Sequence, residues 1–246
     1  MQNEEQWERH ARWWQREHTG DVDPEYVDQI LPLVARHVRG ARRLLDVGCG
    51  EGQVARHLAA DGAEVIGLDP TLGQLTTAQD RGGACYLRAR AEALPCASGF
   101  FDTVVLCLAI EHVDAYETAI AEVARVLEPG GRFVLVLCHP LLQAPGSGWI
   151  DDQIVGERYW RLGSYLRDDR AFDEVAPGVE LLFHHRPLSR YVHAMGAAGL
   201  LIEDMVEEAP PPRMADQVWG FPEVDTIPRT LLLQAVRTGA RSRAEA

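Results

Sequence analysis

The sequence contains no lysine, because all 24 of its basic residues are arginines. A chain without lysine cannot form a Schiff base, supply the lysine of a phosphate-binding P-loop, or use a lysine as general base. Aspartate and glutamate total 37 residues, and the formal net charge is -13. Since this charge repels phosphate backbones and no run of basic residues offers a local exception, we expect no nucleic-acid partner.

Long apolar runs and paired cysteines are also missing. The most apolar stretches, "FFDTVVLCLAI" and "FVLVLC", are shorter than the roughly 18 residues of a membrane helix, and polar, charged residues follow Met1. These features predict a cytoplasmic protein that does not enter a membrane. The five cysteines include no CxxC pair, which favours reduced, buried thiols over a disulfide framework or a zinc site. We therefore expect no metal ion.

The composition and the order of predicted elements indicate the fold class. With 246 residues, 46% of them apolar, the chain is long enough for one domain with a full core and an appended cap. Two predicted helices, "EEQWERHARWWQREH" and "PEYVDQILPLVARHV", precede short β-rich runs that alternate with helical ones. This alternation predicts an α/β protein with a parallel sheet. The predicted strands are "RRLLDVG", "AEVIGLD", "ACYLRA", "FDTVVLCL" and "RFVLVLCH".

The other predicted elements follow from helical periodicity and from turn residues. We expect helices at "QVARHLAADG" and at "ETAIAEVARVLEPGG", the second closed by Pro129 and a glycine pair. Further along, "PLSRYVHAMGAAGLLIEDMVEE" predicts a helix and then a strand, "APPPRM" an irregular connection, and "IPRTLLLQAV" one more strand.

A glycine-rich loop, in "LLDVGCGEGQVARHL", connects the first predicted strand to a helix. Glycines there let the backbone approach a ligand while the N-terminus of the helix presents free N–H groups. Asp69 ends the next strand, about 20 residues further on, where a carboxylate can accept hydrogen bonds from both ribose hydroxyls. The pattern predicts a cofactor that contains adenosine. Gly50, Gly52 and Ala55 also satisfy GxGxxA, so a nicotinamide-dependent oxidoreductase stays open.

Asp46 precedes these glycines and completes the pattern D-x-G-x-G-x-G, which resembles motif I of the class I S-adenosylmethionine-dependent methyltransferases. The resemblance continues through "GLDPTLGQL", "ARAEALPCASGFFDTVVLCLAIEHV" and "EVARVLEPGGRFVLVL", and it covers about residues 40 to 138. It implies a Rossmann-like, mostly parallel seven-stranded sheet with one antiparallel strand and helices on both faces. It also implies S-adenosyl-L-methionine as cofactor and S-adenosyl-L-homocysteine as product.

The resemblance assigns roles within the cofactor site. The glycines would pass along the methionine and ribose, Asp69 would hold the ribose, and the backbone of Leu106 would face the methionine amino group. One position departs from the family, because Arg90 stands where an acid usually accepts the adenine amino group. We expect its side chain to point away from the adenine, since both groups are donors. The implied cofactor-binding residues are Trp14, Asp46, Gly48, Gly50, Gly52, Asp69, Pro70, Gln74, Ala91, Glu92 and Leu106.

The rest of the chain is similar to a group of bacterial small-molecule methyltransferases. The segments concerned are "LCHPLLQAPGSGWIDDQ", "ERYWRLGSYL" and "HHRPLSRYVHAMGAAGL". The resemblance implies a helical N-terminal cover over residues 1–40, a cofactor-binding core over 41–138, an inserted cap over 139–185 and the C-terminal part of the sheet over 186–246. It implies O- or C-methylation of a small molecule of secondary metabolism or of cofactor type. A nucleic-acid or protein methyltransferase and a non-catalytic S-adenosylmethionine-binding protein remain alternatives, and the oligomeric state is unknown.

Candidate acceptor residues follow the strands, because ligands of open α/β sheets bind beyond the carboxyl ends of the strands. His139, after the fifth strand, is the first candidate for a general base, and His112 with Glu111 is the second. Each of these side chains can instead have a structural role. His184, His185 and Arg186 are candidates for binding an anionic group. The candidate aromatic lid and pocket residues are Trp13, Trp14 and His18 near the N-terminus and Trp149, Tyr159, Trp160 and Tyr165 in the insertion.

Overall fold

The computed structural model describes residues 2–20, 22–214 and 222–239. In chain order its strands are β1 Arg43–Val47, β2 Glu64–Asp69, β3 Cys85–Arg88, β4 Phe101–Cys107, β5 Leu127–Cys138, β6 Gly148–Asp152, β7 Glu157–Arg161, β8 Asp169–Ala176, β9 Val179–His185, β10 Leu200–Glu208 and β11 Thr230–Arg237. Its α-helices are α1 Gln2–Glu17, α2 Leu31–His37, α3 Gln53–Ala59, α4 Leu72–Arg81, α5 Tyr116–Val126, α6 Pro140–Gln143 and α7 Leu188–Ala197.

Seven strands form the main sheet in the order β10-β11-β5-β4-β1-β2-β3. The five neighbouring strands β3, β2, β1, β4 and β5 pair in parallel, and β11 runs antiparallel to both of its neighbours, β5 and β10. The predicted mostly parallel, seven-stranded Rossmann-like sheet with one antiparallel strand is therefore confirmed.

Apolar side chains pack on both faces of this sheet. One cluster joins Val47 of β1 to Ile120 of α5 and Met195 of α7, and the other joins Leu44 of β1 to Val34 of α2 and Leu58 of α3. Successive residues of a strand point to opposite faces, so a strand buried on both faces is apolar throughout. The helices thus cover both faces and leave the ends of the strands free for a site.

Three predicted boundaries differ from the structure. The second predicted helix contains one π-helical turn, Tyr26–Ile30, directly before α2. The predicted helix through Pro129 ends earlier, at Val126, because Leu127 is already extended and pairs with Phe101. In the segment predicted as an irregular connection, residues 212–214 are helical.

The segment between β5 and α7 lies outside the main sheet. It forms two antiparallel hairpins, one from β6 and β7 and one from β8 and β9. The second hairpin contacts α1, where the side-chain oxygen of Gln6 accepts a hydrogen bond of 3.2 Å from the backbone N–H of Leu182. In the part of the chain that the structure describes, no helix is long and apolar enough to cross a membrane.

Candidate active site

A cavity of about 410 Å³ lies at the carboxyl ends of β1, β2 and β4. The loop after β1, the end of β2 and the segment after β4 form its floor, and α1 supplies one wall through Asn3, Glu4, Trp7 and Trp14. Of the eleven residues expected to bind the cofactor, those that line this cavity are Trp14, Asp46, Gly48, Gly50, Asp69, Pro70, Gln74, Ala91, Glu92 and Leu106. Gly52 does not line it.

The three glycines of the loop have positive φ angles, but for different reasons. A Cβ atom on Gly48 would lie 2.6 Å from the Cβ atom of Ala109, so this glycine allows two backbone segments to approach each other. A Cβ atom on Gly50 would meet nothing within 4 Å. Gly52 precedes α3, and a Cβ atom there would collide with the ring of Tyr86. Only Gly50 therefore combines a cavity position with free space above its Cα atom.

Asp69 is held in place at the cavity wall by the backbone. Its Oδ2 atom accepts a hydrogen bond of 3.0 Å from the N–H of Gly50, and its Oδ1 atom accepts one of 2.8 Å from the N–H of Thr71. The side chain is buried, and burial raises its pKa although both hydrogen bonds lower it. The carboxylate is thus fixed beside the glycine loop, and its remaining lone pairs can accept ligand hydroxyls.

Asp46 is a second buried carboxyl group on the same wall. The residue is 1% exposed, and its Oδ2 atom has no hydrogen-bond partner among the described residues. Burial, followed by the negative charge of Asp69, raises the pKa of Asp46 to about 7. A buried acceptor without a donor is costly, which makes this oxygen a place where a ligand N–H or O–H group can bind.

Arg90 forms an ion pair with Glu4 of α1. Its Nε atom lies 2.6 Å from Oε1 of Glu4, and its Nη2 atom donates a hydrogen bond of 2.7 Å to Oε2. Glu8, one turn further along α1, accepts hydrogen bonds from the backbone N–H groups of Leu72 and Gly73 at the start of α4. Two glutamates that no sequence motif indicates therefore help to attach α1 to the rest of the site.

The strand β4 is followed by a strained residue at the cavity. Leu108 has a φ angle of 49°, in a region that residues with a side chain rarely adopt, and its N–H group donates to the carbonyl of Val136. Such strain occurs often at functional sites. Here it directs the chain from β4 into the short turn that contains His112.

His112 lines the part of the cavity next to this turn. Its Nδ1 atom lies 2.9 Å from the carbonyl oxygen of Leu182, and its ring packs against those of Trp7 and Phe183. Because a carbonyl only accepts hydrogen bonds, Nδ1 carries the proton and Nε2 carries the lone pair. Burial lowers the pKa of His112 to about 4, so the imidazole is neutral at physiological pH. Nε2 makes no hydrogen bond within the described residues and can accept a proton.

His139 does not line the cavity, in disagreement with its predicted role as general base. Its Nδ1 atom accepts a hydrogen bond of 3.1 Å from the backbone N–H of Leu141, and its Nε2 atom lies 2.8 Å from Oε1 of Glu207. Both ring nitrogens are therefore engaged, and the ring caps the first turn of α6. This geometry assigns His139 to the start of the cap rather than to the acceptor.

Of the three residues considered for an anionic group, only His184 lines the cavity. His185 contacts the carbonyl oxygen of Tyr165 instead. Arg186 donates hydrogen bonds to the carbonyls of Ile110, Val113 and Asp114 and stabilises the turn after β4.

Glu111 is also directed away from the cavity. Its Oε1 atom accepts a hydrogen bond from the N–H of Cys138, and burial raises its pKa to about 7. It anchors the turn that carries His112 to the end of β5.

The aromatic wall of the cavity comes from α1 and the residues after it, not from the insertion. Trp14 and His18 line the cavity and stack with ring centroids 4.5 Å apart, whereas Trp13 packs outside against both. Trp7 also lines the cavity and was not among the predicted lid residues, although it lies two helical turns before Trp14 on the same face of α1.

The aromatic residues of the insertion lie elsewhere. Trp149 and Trp160 pair with each other across β6 and β7, with ring centroids 5.6 Å apart, and Tyr165 contacts His185. None of the four aromatic residues expected there, Tyr159 included, lines the cavity. Within the described ranges, no group of three or more His, Cys, Asp or Glu side chains could hold a metal ion.

Comparison with known proteins places the chain in a family. Residues 45–135 match the methyltransferase domain family. A malonyl-[acyl-carrier protein] O-methyltransferase of Salmonella typhimurium is 33% identical over 177 residues, which are 71% of this chain and 68% of that protein. A ubiquinone/menaquinone biosynthesis C-methyltransferase of Methylobacterium nodulans is 37% identical over 137 residues, which are 52% of this chain and 54% of that protein.

A crystal structure of an S-adenosylmethionine-dependent methyltransferase from Mesorhizobium loti has the same fold. It is 31% identical, the match covers 88% of this chain and 99% of that one, and the TM-score is 0.74. The chain spans only 40%, 53% and 54% of the length of three curated methyltransferases that it matches, the Methylobacterium nodulans protein being the last of these. From the sequence match, the shared fold and the glycine loop with its acidic partner, the chain belongs to the class I S-adenosylmethionine-dependent methyltransferases.

Proposed function

We propose that this protein transfers a methyl group from S-adenosyl-L-methionine to a small-molecule acceptor by O- or C-methylation, in secondary metabolism or on a cofactor-type substrate. One observation carries the proposal: a single cavity joins the glycine loop and Asp69 to His112 and His184. Cofactor and acceptor would therefore lie side by side, as direct transfer requires. A cytoplasmic location, a bacterial origin and the absence of a nucleic-acid partner stay predictions.

The first half of the cavity fits the cofactor. Asp69 would accept hydrogen bonds from the ribose hydroxyls, and the free space above Gly50 allows the ligand to approach the backbone. The unpartnered Oδ2 atom of Asp46 would accept a hydrogen bond from a donor on the methionine end. Ala91 and Glu92 line the side assigned to adenine. Because Arg90 is occupied by Glu4, we assign recognition of the adenine amino group to the backbone of that segment.

The second half of the cavity fits the acceptor. The bound cofactor supplies an electrophilic methyl group. His112 would position an acceptor hydroxyl through Nε2 and accept its proton during transfer. Its low pKa keeps it neutral over a wide pH range but also makes it a weak base. Trp7 and Leu182 also line this part of the cavity and would shield the reacting atoms from water.

The first experiment measures S-adenosyl-L-homocysteine binding by calorimetry. The wild type should bind it and not NAD, and Asp69→Ala should weaken binding by more than tenfold, or about 1.5 to 3 kcal/mol, because two hydrogen bonds are lost. Asp61→Ala, which removes an exposed aspartate outside the cavity, is the matched control. Equal affinity of wild type and Asp69→Ala would remove the ribose assignment.

The second experiment tests transfer itself. Wild type is incubated with a metabolite extract and a methyl donor carrying a labelled methyl group, and the products are identified by mass spectrometry. We expect the label in a small molecule. Cofactor binding without any labelled product would instead support a non-catalytic S-adenosylmethionine-binding protein.

A further inference from the structure

We propose that the acceptor is a small hydroxy acid, with its anionic group bound by Arg170 of β8 beside His184 of β9. This inference rests on the proposed function and specifies the class of acceptor. It begins from the position of Arg170, which lines the same cavity as His112 although it lies in the inserted segment.

Arg170 differs from the other arginine of the cavity, because it has no ion-pair or hydrogen-bond partner for its guanidinium among the described residues. The cavity is lined by two arginines, and Arg90 is paired with Glu4. Among the described residues, the guanidinium of Arg170 makes neither an ion pair nor a hydrogen bond. A guanidinium offers a planar fork of donors that matches a carboxylate or phosphate. Arg170 is exposed to solvent at the edge of the cavity, so its guanidinium is free to meet an anionic group of a molecule that enters there.

The hairpin of β8 and β9 brings Arg170 next to a polar group and links it to His112. Arg170 and His184 are directly opposite each other in the register of the two strands, so their side chains share one face. Two residues before His184, the carbonyl of Leu182 accepts the hydrogen bond that orients His112. One hairpin therefore positions both the proton acceptor and the anion-binding pair.

The neighbouring charges are compatible with an anion. Burial is the main cause that lowers the pKa of His184, so this ring is neutral and Arg170 supplies the positive charge. Asp114 also lines this part of the cavity, with Oδ1 3.8 Å from Nδ1 of His184. Its side chain is 85% exposed and makes no ion pair with Arg170, so solvent screens its repulsion of a bound anion.

The test compares acids with their uncharged amides in the protein saturated with S-adenosyl-L-homocysteine. The probes are 2-, 3- and 4-hydroxybenzoate and the three corresponding hydroxybenzamides, titrated by calorimetry. We expect at least one acid to bind wild type more than tenfold tighter than its amide. Arg170→Gln should reduce this preference to less than twofold. Arg167→Gln removes an arginine that does not line the cavity and should behave as wild type.

Three results would overturn the inference: no acid that binds measurably, equal binding of acids and amides, or a preference that survives Arg170→Gln. Binding of S-adenosyl-L-homocysteine is measured in every variant. If the wild type does not bind S-adenosyl-L-homocysteine, the proposed function is refuted. If it binds S-adenosyl-L-homocysteine but does not prefer acids over amides, only the proposed acceptor class is refuted.

A second measurement uses the wild type alone. The metabolite extract is separated by anion exchange before incubation with the labelled methyl donor. The label should enter molecules from the retained, anionic fraction, and labelling confined to the unretained fraction contradicts the inference.

Discussion

Replacing Asp46 by asparagine should stabilise the cofactor-free protein, and the gain should depend on pH. Asparagine preserves the size of the side chain and the oxygen that accepts the hydrogen bond from the N–H of Ala55. It removes the charge that aspartate must carry above its pKa in a site that is 1% exposed. The substitution therefore isolates the cost of ionising one buried carboxyl group.

The pKa shift gives the size and the sign of the effect. The ordinary pKa of an aspartate side chain is 3.8, and the pKa of Asp46 in the folded protein is raised to about 7. The folded state thus holds the proton more tightly, and the stability of the wild type falls as pH rises from about 4 to about 7. At about 1.4 kcal/mol per pKa unit, the upper limit is about 4 kcal/mol. We expect about 2 kcal/mol, because relaxation and water entry reduce such penalties in real proteins.

Urea unfolding of the wild type and Asp46→Asn at pH 4.5, 6 and 8 measures this difference. The advantage of Asp46→Asn should grow with pH and level off above pH 7. Glu111, whose pKa is also raised, is common to both proteins and cancels in the comparison. Asp80→Asn, which removes an exposed charge on α4, should show no such trend. A difference that does not change with pH would refute the reasoning.

Other substitutions separate binding, catalysis and structure. Gly50→Ala should cost about 1 kcal/mol of stability, because the φ angle there is positive, and it should abolish S-adenosyl-L-homocysteine binding. Gly48→Ala should lower Tm more, because the added Cβ atom clashes with Ala109. Equal Tm losses in the two variants would contradict this contrast. Once the acceptor is identified, His112→Ala should reduce kcat about a hundredfold and leave cofactor affinity unchanged. His139→Ala should keep kcat within a few-fold of the wild-type value. The opposite result would restore His139 as general base. Arg90→Gln should change Tm little, since exposed ion pairs contribute about 0 to 1 kcal/mol to stability. The same substitution should speed dissociation of S-adenosyl-L-homocysteine in stopped-flow measurements. An unchanged dissociation rate would show that the ion pair with Glu4 does not hold α1 in place.

The sequence was sufficient for features that short segments determine. A buried strand, a glycine loop and a helix in succession place the loop next to the end of the neighbouring strand, so the proximity of the loop to Asp69 was predictable from spacing, although the hydrogen bond from Gly50 to Asp69 was not. The parallel sheet was predictable for the same reason, because apolar runs and amphipathic helices alternate along the chain.

Residues that depend on distant contacts were not predictable. His139 and His112 both follow strands, but their directions are set by Glu207 and by the carbonyl of Leu182, which are far away in sequence. The aromatic residues of the insertion pair across a hairpin, so their number indicated a pocket that they do not form. The role proposed for Arg170 was not predictable, because it depends on the position of this residue at the cavity and on its lack of a side-chain partner within the described ranges.

The attachment of α1 has a consequence for how fast the protein can work. The helix encloses the cavity, yet its contacts through Glu4 and Glu8 are made by side chains at the protein surface. Salt screens such contacts, while the buried floor of the cavity is insensitive to it. If release of spent cofactor depends on movement of this wall, raising the ionic strength should shorten the residence time of S-adenosyl-L-homocysteine, and should raise the turnover rate when release is the slow step.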